Sequence, residues 1–288
     1  MRLPDFIVIG TMKSGTTSLF RWLEVQPECV LPRLKGIDFF TRDENWRKGV
    51  HWYSEFFSMA PEEALTGEAS PSCTHPDLAP KAARRMAGVV PDVRLIVSLR
   101  NPVERLRAQY RHDLQRGRET RSFVDAVADA NGQLVQRSLY WKVLQPYIEL
   151  FPREQICVVR FEDLVKSPFE GWSDILRFLG LENRPSPGIA YNVTSQKPQF
   201  TKTLFWLWQS GWPTRLDWLP RPMRRLGKKL LTRADDAYVQ IVDSAGASVP
   251  GVIFEQILND AALLEGWLGV AHPLWPELEA RELLDGRT

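Results

Sequence analysis

The chain is poor in the residues that staple or metallate small folds: 288 residues contain three cysteines, Cys29, Cys73 and Cys157, and four histidines. Three thiols cannot all pair, and their separations match neither a disulfide framework nor a zinc site, so we read them as mostly buried thiols of a reducing compartment. No charge sign dominates, since 37 Lys and Arg stand against 35 Asp and Glu for a formal +2. That balance argues against a chain built to coat nucleic acid, and no nucleic-acid-binding module is recognised, although local basic clusters remain able to hold a phosphorylated small molecule. Long apolar runs are missing too: the stretch after Met1 to Asp5, Phe6 to Ile9, is far too short for a signal-peptide core or a membrane span. The cytoplasm is therefore the expected address. Internal repeats and low-complexity tracts are absent.

What is present is the composition of a folded globular chain, 44% hydrophobic and 25% charged, long enough to bury a substantial core as one large α/β domain or two small ones. Short apolar runs at Phe6 to Ile9, Val93 to Leu99 and Ile156 to Arg160 have the character of buried parallel strands, with a weaker one near Ala64 to Gly67. Helical spacing covers Thr17 to Val25, Pro80 to Ala87, Pro102 to Gln115, Ser138 to Leu150, Pro168 to Leu179 and Pro250 to Leu268. Strands alternating with helices predict a P-loop-like, doubly wound parallel sheet flanked by helices. Residues 185–198 read as a long loop, and 201–231, rich in Trp and basic residues, as a helical insertion or lid on a single domain spanning 1–288.

The first strand runs into Gly10-Thr11-Met12-Lys13-Ser14-Gly15-Thr16-Thr17 and then into a helix. Strand, glycine loop and helix start together aim backbone N–H groups at an anion. The two glycines have the spacing of a nucleoside-triphosphate loop, but Thr16 stands where that loop carries its Lys, and Lys13 lies inside the loop instead. A Lys there is placed to neutralise one 5'-phosphate and its leaving group rather than a triphosphate with Mg²⁺. The plain alternative is a glycine turn that starts a helix. Farther on, the strand Val93 to Leu99 delivers Arg100 to its carboxyl end, the edge at which open parallel sheets bind ligands, and a guanidinium there grips a phosphate bidentately unless it merely pairs with Glu104.

Gly10 to Leu19 and Arg94 to Tyr110, with Lys48 to Phe57, Gly67 to Pro71, Phe151 to Gln155, Phe161 to Leu164 and Phe178 to Gly180, resemble in order the motifs of the sulfotransferases that use 3'-phosphoadenosine 5'-phosphosulfate (PAPS). The likeness is nearest to the heparan-sulfate-type and related bacterial members. It implies that Lys13, Ser14, Gly15, Thr16, Thr17 and Ser18 hold the 5'-phosphosulfate, Lys13 assisting departure of the bridging oxygen, and that Arg100 holds the 3'-phosphate. The product nucleotide is then PAP and no metal is required. Family members usually carry a Ser eight residues after that Arg, where this chain has Ala108, so Arg105, Arg107 or the segment Ser195 to Lys197 is expected to compensate.

The resemblance breaks at the catalytic base. Relatives of the heparan type place a Glu three residues before a Phe-Phe pair, and before Phe39-Phe40 that position is Gly36. Asp38 is the first candidate for the role, followed by His51, Glu68 and His75. Ala69 stands where some relatives have Lys. Residues 205–229, with Phe205, Trp206, Trp208, Trp212 and Trp218 ahead of Arg221, Arg224, Arg225, Lys228 and Lys229, suit either a membrane surface or the wall of an acceptor pocket, or more plainly a helical subdomain that buries its tryptophans. The expected activity is sulfuryl transfer to a hydroxyl or amine of a carbohydrate, glycolipid or other small acceptor. The alternatives are a non-catalytic PAP-binding protein and a P-loop nucleotide kinase. Oligomeric state is not readable from the chain.

Overall fold

The computed structural model of the protein describes residues 1–166, 169–188 and 248–278. The apolar runs form five strands, β1 (Phe6–Gly10), β2 (Cys29–Val30), β3 (Leu65–Ala69), β4 (Arg94–Leu99) and β5 (Ile156–Arg160), ordered β2-β3-β1-β4-β5 across one sheet. Every pairing between them is parallel. Alternate side chains point to opposite faces, yet Phe6, Ile7, Val8 and Ile9 are all fully buried, so both faces are covered, and that is why the run reads as continuously apolar.

Helices connect the strands: α1 (Thr16–Glu24), α2 (Asp43–Trp46), α3 (Gly49–Glu55), α4 (Ala79–Val89) and α5 (Pro102–Gln115) precede α6 (Phe123–Val127) and α7 (Gln133–Gln136), and α8 (Tyr140–Ile148), α9 (Phe161–Val165), α10 (Glu170–Leu179) and α11 (Gly251–Leu268) follow. On one face of the sheet Phe6, Val8, Ile96 and Val159 pack with Leu19, Phe20 and Leu23 of α1 and with Trp172, Ile175 and Leu176 of α10. Trp22 and Trp172 meet edge to face with ring centroids 5.7 Å apart, an arrangement aromatic quadrupoles favour. Helix α10 ends where Gly180 takes a left-handed φ of 73°, letting the Leu181 N–H reach the Leu176 carbonyl at 2.8 Å and the Gly180 N–H that of Arg177 at 3.0 Å. The strand and helix order is the doubly wound α/β arrangement expected from the sequence.

Two compact units divide the chain, one of Met1–Arg105, Gln136–Asn192 and Glu255–Thr288, the other of Leu106–Val135 and Val193–Phe254. The sheet and every described candidate residue except Arg107 belong to the first, and Arg107 falls in the second. In the second, the Ser122 hydroxyl accepts the Asp125 N–H at 3.2 Å to cap α6, and Tyr110 packs on Phe123 and donates to the Arg121 carbonyl. The insertion predicted at 201–231, the basic and aromatic run 205–229 and Lys197 lie outside the described residues, as does the greater part of the loop 185–198. Among the described residues no helix is long and apolar enough to cross a membrane.

Candidate active site

Strand β1 leads off toward β3 and β2 while its neighbour β4 leads toward β5, so a crevice opens where the carboxyl ends of β1 and β4 diverge. The loop after β1 and Arg100 after β4 both emerge there. The loop is braced from β4: the Thr11 N–H and hydroxyl donate to the Ser98 carbonyl at 2.9 and 3.1 Å, and the Ser98 hydroxyl donates to the Ser14 carbonyl at 2.7 Å. Thr11 and Ser14 hydroxyls lie 2.7 Å apart. Lys13 and Gly15 take left-handed φ values of 76° and 75°. A Cβ at Gly15 would also sit 2.7 Å from the Phe161 ring, so any other residue there displaces that ring.

Helix α1 starts at this loop with no side chain capping it and no acidic residue in its first turn. Its first N–H groups have no carbonyl one turn earlier to reach, and the helix dipole adds positive potential at the same place. Sequence reasoning missed the residue that completes the surroundings: Lys35, on the segment returning from β2, donates to the Thr17 hydroxyl at 2.7 Å and to the Thr16 hydroxyl at 3.2 Å. Burial, helped by the charge of Arg21, pulls its ammonium down to about 8. The only signal in the sequence was its place immediately before Gly36.

Arg100 reaches the same edge one strand away. Its guanidinium carbon lies 5.3 Å from the centre of the Phe161 ring, and its pairing with Glu104 is loose at 3.8 Å. Tyr140, fully buried, donates to the Arg100 carbonyl at 2.7 Å and fixes the strand end. The Asn101 side-chain oxygen accepts the N–H groups of Val103 and Glu104, starting α5 with Pro102 in its first position. Arg105 is 1% exposed and its Nε donates to the Ser138 hydroxyl at 2.9 Å, so that nitrogen is committed inside the fold.

The acceptor-side candidates cluster at the end of β3. The Gly36 N–H donates to the Ala69 carbonyl, pinning the 36–38 segment to that strand, and both Gly36 (φ 81°) and Asp38 (φ 54°) are left-handed. Asp38 accepts from the Ser72 hydroxyl at 2.5 Å and from Arg42 Nε at 3.2 Å, while its own N–H donates to the Ser70 hydroxyl oxygen. A Cβ at Gly36 would lie 4.0 Å from each Asp38 carboxylate oxygen. Ser70 in turn donates to Glu68 at 2.7 Å, and the Tyr53 hydroxyl donates to the other Glu68 oxygen at 2.7 Å. Burial pushes the Glu68 carboxyl up to about 7 against those two hydrogen bonds, with the Asp38 charge adding to the rise. Ser72 lies outside every motif stretch of the sequence, and Tyr53 and Ser70, though inside Lys48 to Phe57 and Gly67 to Pro71, carry no role there, because hydroxyls have no periodicity.

The side chains of the two candidate histidines turn to other partners, although the His75 N–H donates to the Ser72 carbonyl at 3.0 Å. His51 projects from α3 with a side chain 89% exposed, 3.9 Å from Glu55. His75 lies beside Asp77 and accepts its N–H, and burial together with the Arg137 charge lowers its pKa.

A family model described as the sulfotransferase domain matches residues 3–203. Among curated proteins, the chain is 30% identical over 189 residues to heparan sulfate glucosamine 3-O-sulfotransferase 3A1 of Mus musculus, covering 63% of this chain and 47% of that protein. It is 29% identical over 206 residues to heparan sulfate glucosamine 3-O-sulfotransferase 5 of Homo sapiens, covering 67% and 58%. The chain thus spans about half the length of the curated relatives it matches. A crystal structure of a sulfotransferase from Alicyclobacillus acidocaldarius superposes with a TM-score of 0.56 at 26% identity, covering 83% of this chain and all of that one.

Proposed function

Since this chain belongs to the sulfotransferase domain family, we propose that it moves a sulfuryl group from PAPS to a hydroxyl or amine of an acceptor, leaving PAP and a sulfated product. One observation carries the reading: a loop with an internal Lys13 opens onto an uncapped helix start, with a second ammonium against its threonines and Arg100 one strand away. Such a cradle suits a nucleotide with a single 5'-phosphate carrying a leaving group and a separate phosphate at its other end. A PAPS molecule supplies an activated sulfuryl group whose S–O bond to the 5'-phosphate is the one broken.

Sulfuryl transfer, like phosphoryl transfer, depends on in-line placement and charge stabilisation more than on covalent help. Lys13 and the N–H groups of α1 stabilise charge gathering on the departing bridging oxygen, and Arg100 anchors the 3'-phosphate. Ser14, Gly15, Thr16, Thr17 and Ser18 line the loop. Asp38 accepts the proton released by the acceptor as its oxygen or nitrogen bonds to sulfur. It stands where a carboxylate growing from residue 36 would reach, which answers the missing Glu of heparan-type relatives. Glu68, whose carboxyl burial raises to about 7, holds the turn through Ser70 rather than taking the proton itself.

A carbohydrate leads the acceptor classes, because the curated relatives are named for heparan sulfate glucosamine. Calorimetric titration of PAP, and of ATP with Mg²⁺, into the wild-type chain and into Lys13→Ala and Arg100→Ala tests the donor site. Metal-independent PAP binding weakened in both variants is the expected result. Tight binding of Mg-ATP with none of PAP would return the protein to the nucleotide kinases. Gly36 and Ala108 favour one second reading, a PAP binder without turnover, and sulfated product from any acceptor eliminates it.

A further inference from the structure

Lys35 has no role in any reading of the sequence given above, yet two hydrogen bonds hold it against the start of α1. Its Nζ sits against the two threonines that open α1, at 2.7 and 3.2 Å, and no carboxylate lies within ion-pair distance of it among the described residues. An ammonium has three N–H donors and accepts nothing, so Thr16 and Thr17 must both act as acceptors toward it. Two consequences follow. Each threonine hydroxyl proton is turned away from Lys35 and is available to another acceptor, and the third N–H of Lys35 has no partner among the described residues.

We infer that Lys35 is a sulfuryl-binding residue: it orients the Thr16 and Thr17 hydroxyls as donors and supplies the countercharge for the non-bridging sulfuryl oxygens. The inference rests on the PAPS reading and deepens it. A half-buried cation with no carboxylate partner is costly to hold unless an anion arrives to neutralise it, and its lowered pKa reflects that cost. Lys35 also approaches the loop from the β2–β3 side, three residues before Asp38, a separation of at most about 11 Å along the chain. Arg100 comes from the opposite side, after β4. The oxygens within reach of Lys35 are therefore those nearest the proposed base, which are the sulfuryl oxygens and not those of the 3'-phosphate.

PAPS and PAP differ by that sulfuryl group alone, so the test needs no acceptor. The dissociation constants of PAPS and of PAP are measured by calorimetry for the wild-type chain, Lys35→Gln and Lys35→Arg, with thermal melting of each unliganded protein alongside. The expected result is a ratio of PAPS to PAP dissociation constants that rises about tenfold in Lys35→Gln, in keeping with loss of a charge-assisted hydrogen bond in a partly exposed site, and recovers in part in Lys35→Arg. Melting of unliganded Lys35→Gln should be no lower than wild type. A brace with a merely structural role would instead lower the melting temperature and weaken both nucleotides equally, and that outcome overturns the assignment. So does an unchanged ratio. If the wild-type chain binds neither nucleotide, the donor reading itself has failed, which is a different result from a variant that leaves good binding intact.

Discussion

Replacing Glu68 by Gln should remove a pH dependence of stability that the wild-type chain owes to one buried carboxyl. Glu68 is fully buried at the end of β3 and accepts hydrogen bonds from Tyr53 and Ser70. Burial nevertheless moves it from an ordinary 4.5 to about 7. That displacement corresponds to about 3 kcal/mol of differential proton binding between folded and unfolded chains. The direction follows from which state keeps the proton. Below about pH 4.5 both states are protonated and the contribution is present in full; as pH rises toward 7 the unfolded chain has lost a proton that the folded chain retains, so the free energy of unfolding falls by about 1.4 kcal/mol per pH unit. Above 7 the contribution is gone. Gln cannot ionise, and its amide can bond the same two hydroxyls once they reorient. Asp260, raised by burial to about 6, acts in the same direction but equally in both proteins. Urea unfolding followed by tryptophan fluorescence from about pH 5 to about pH 8 should therefore show the variant gaining about 2.5 kcal/mol relative to wild type across the series. Parallel profiles for the two proteins would refute the reasoning, since Glu68 would then be titrating at an ordinary pKa or outside that window.

Two further outcomes are open to measurement. Asp38→Asn should lower turnover about 10²- to 10⁴-fold, the usual weight of a positioned base, with PAP affinity unchanged by calorimetry, and adding Gly36→Glu should restore part of it; equal turnover in Asp38→Asn would move the base elsewhere. Gly15→Ala should cost about 1–3 kcal/mol in chemical denaturation and weaken PAP binding, because it combines a left-handed φ of 75° with a Cβ 2.7 Å from the Phe161 ring, and wild-type stability with wild-type affinity would contradict that.

The long elements were legible in the sequence because their patterns have physical causes that act locally. Ile156–Arg160 and Pro102–Gln115 begin and end where the apolar run and the Asn101-Pro102 start placed them, and Phe6 to Ile9 extends by one residue to Gly10. The weak stretch near Ala64 is strand β3, shifted to Leu65–Ala69, and its Gly67 is explained by tertiary packing, since a side chain there would collide with the Phe6 ring on the neighbouring strand. Strand β2 escaped notice because two residues have no detectable period. At the site, glycine spacing and the position of Lys13 marked the loop without help. Lys35, Ser70 and Ser72 could not be found that way, because each matters through a partner 18 to 34 residues distant in the chain.

Strand β1 is flanked by β3 on one side and β4 on the other, and the candidate residues divide across it. Lys35, Gly36, Asp38, Glu68, Ser70 and Ser72 arrive from the β2–β3 half, Ser98, Arg100 and Phe161 from the β4–β5 half. For an engineer this is a partition of mutable ground. A randomised library confined to the half-buried positions 36, 38 and 72 spares the β1–β4 register and the brace from Ser98 to the loop, and under the proposed PAPS reading a PAP-affinity column would separate the members whose nucleotide half is intact.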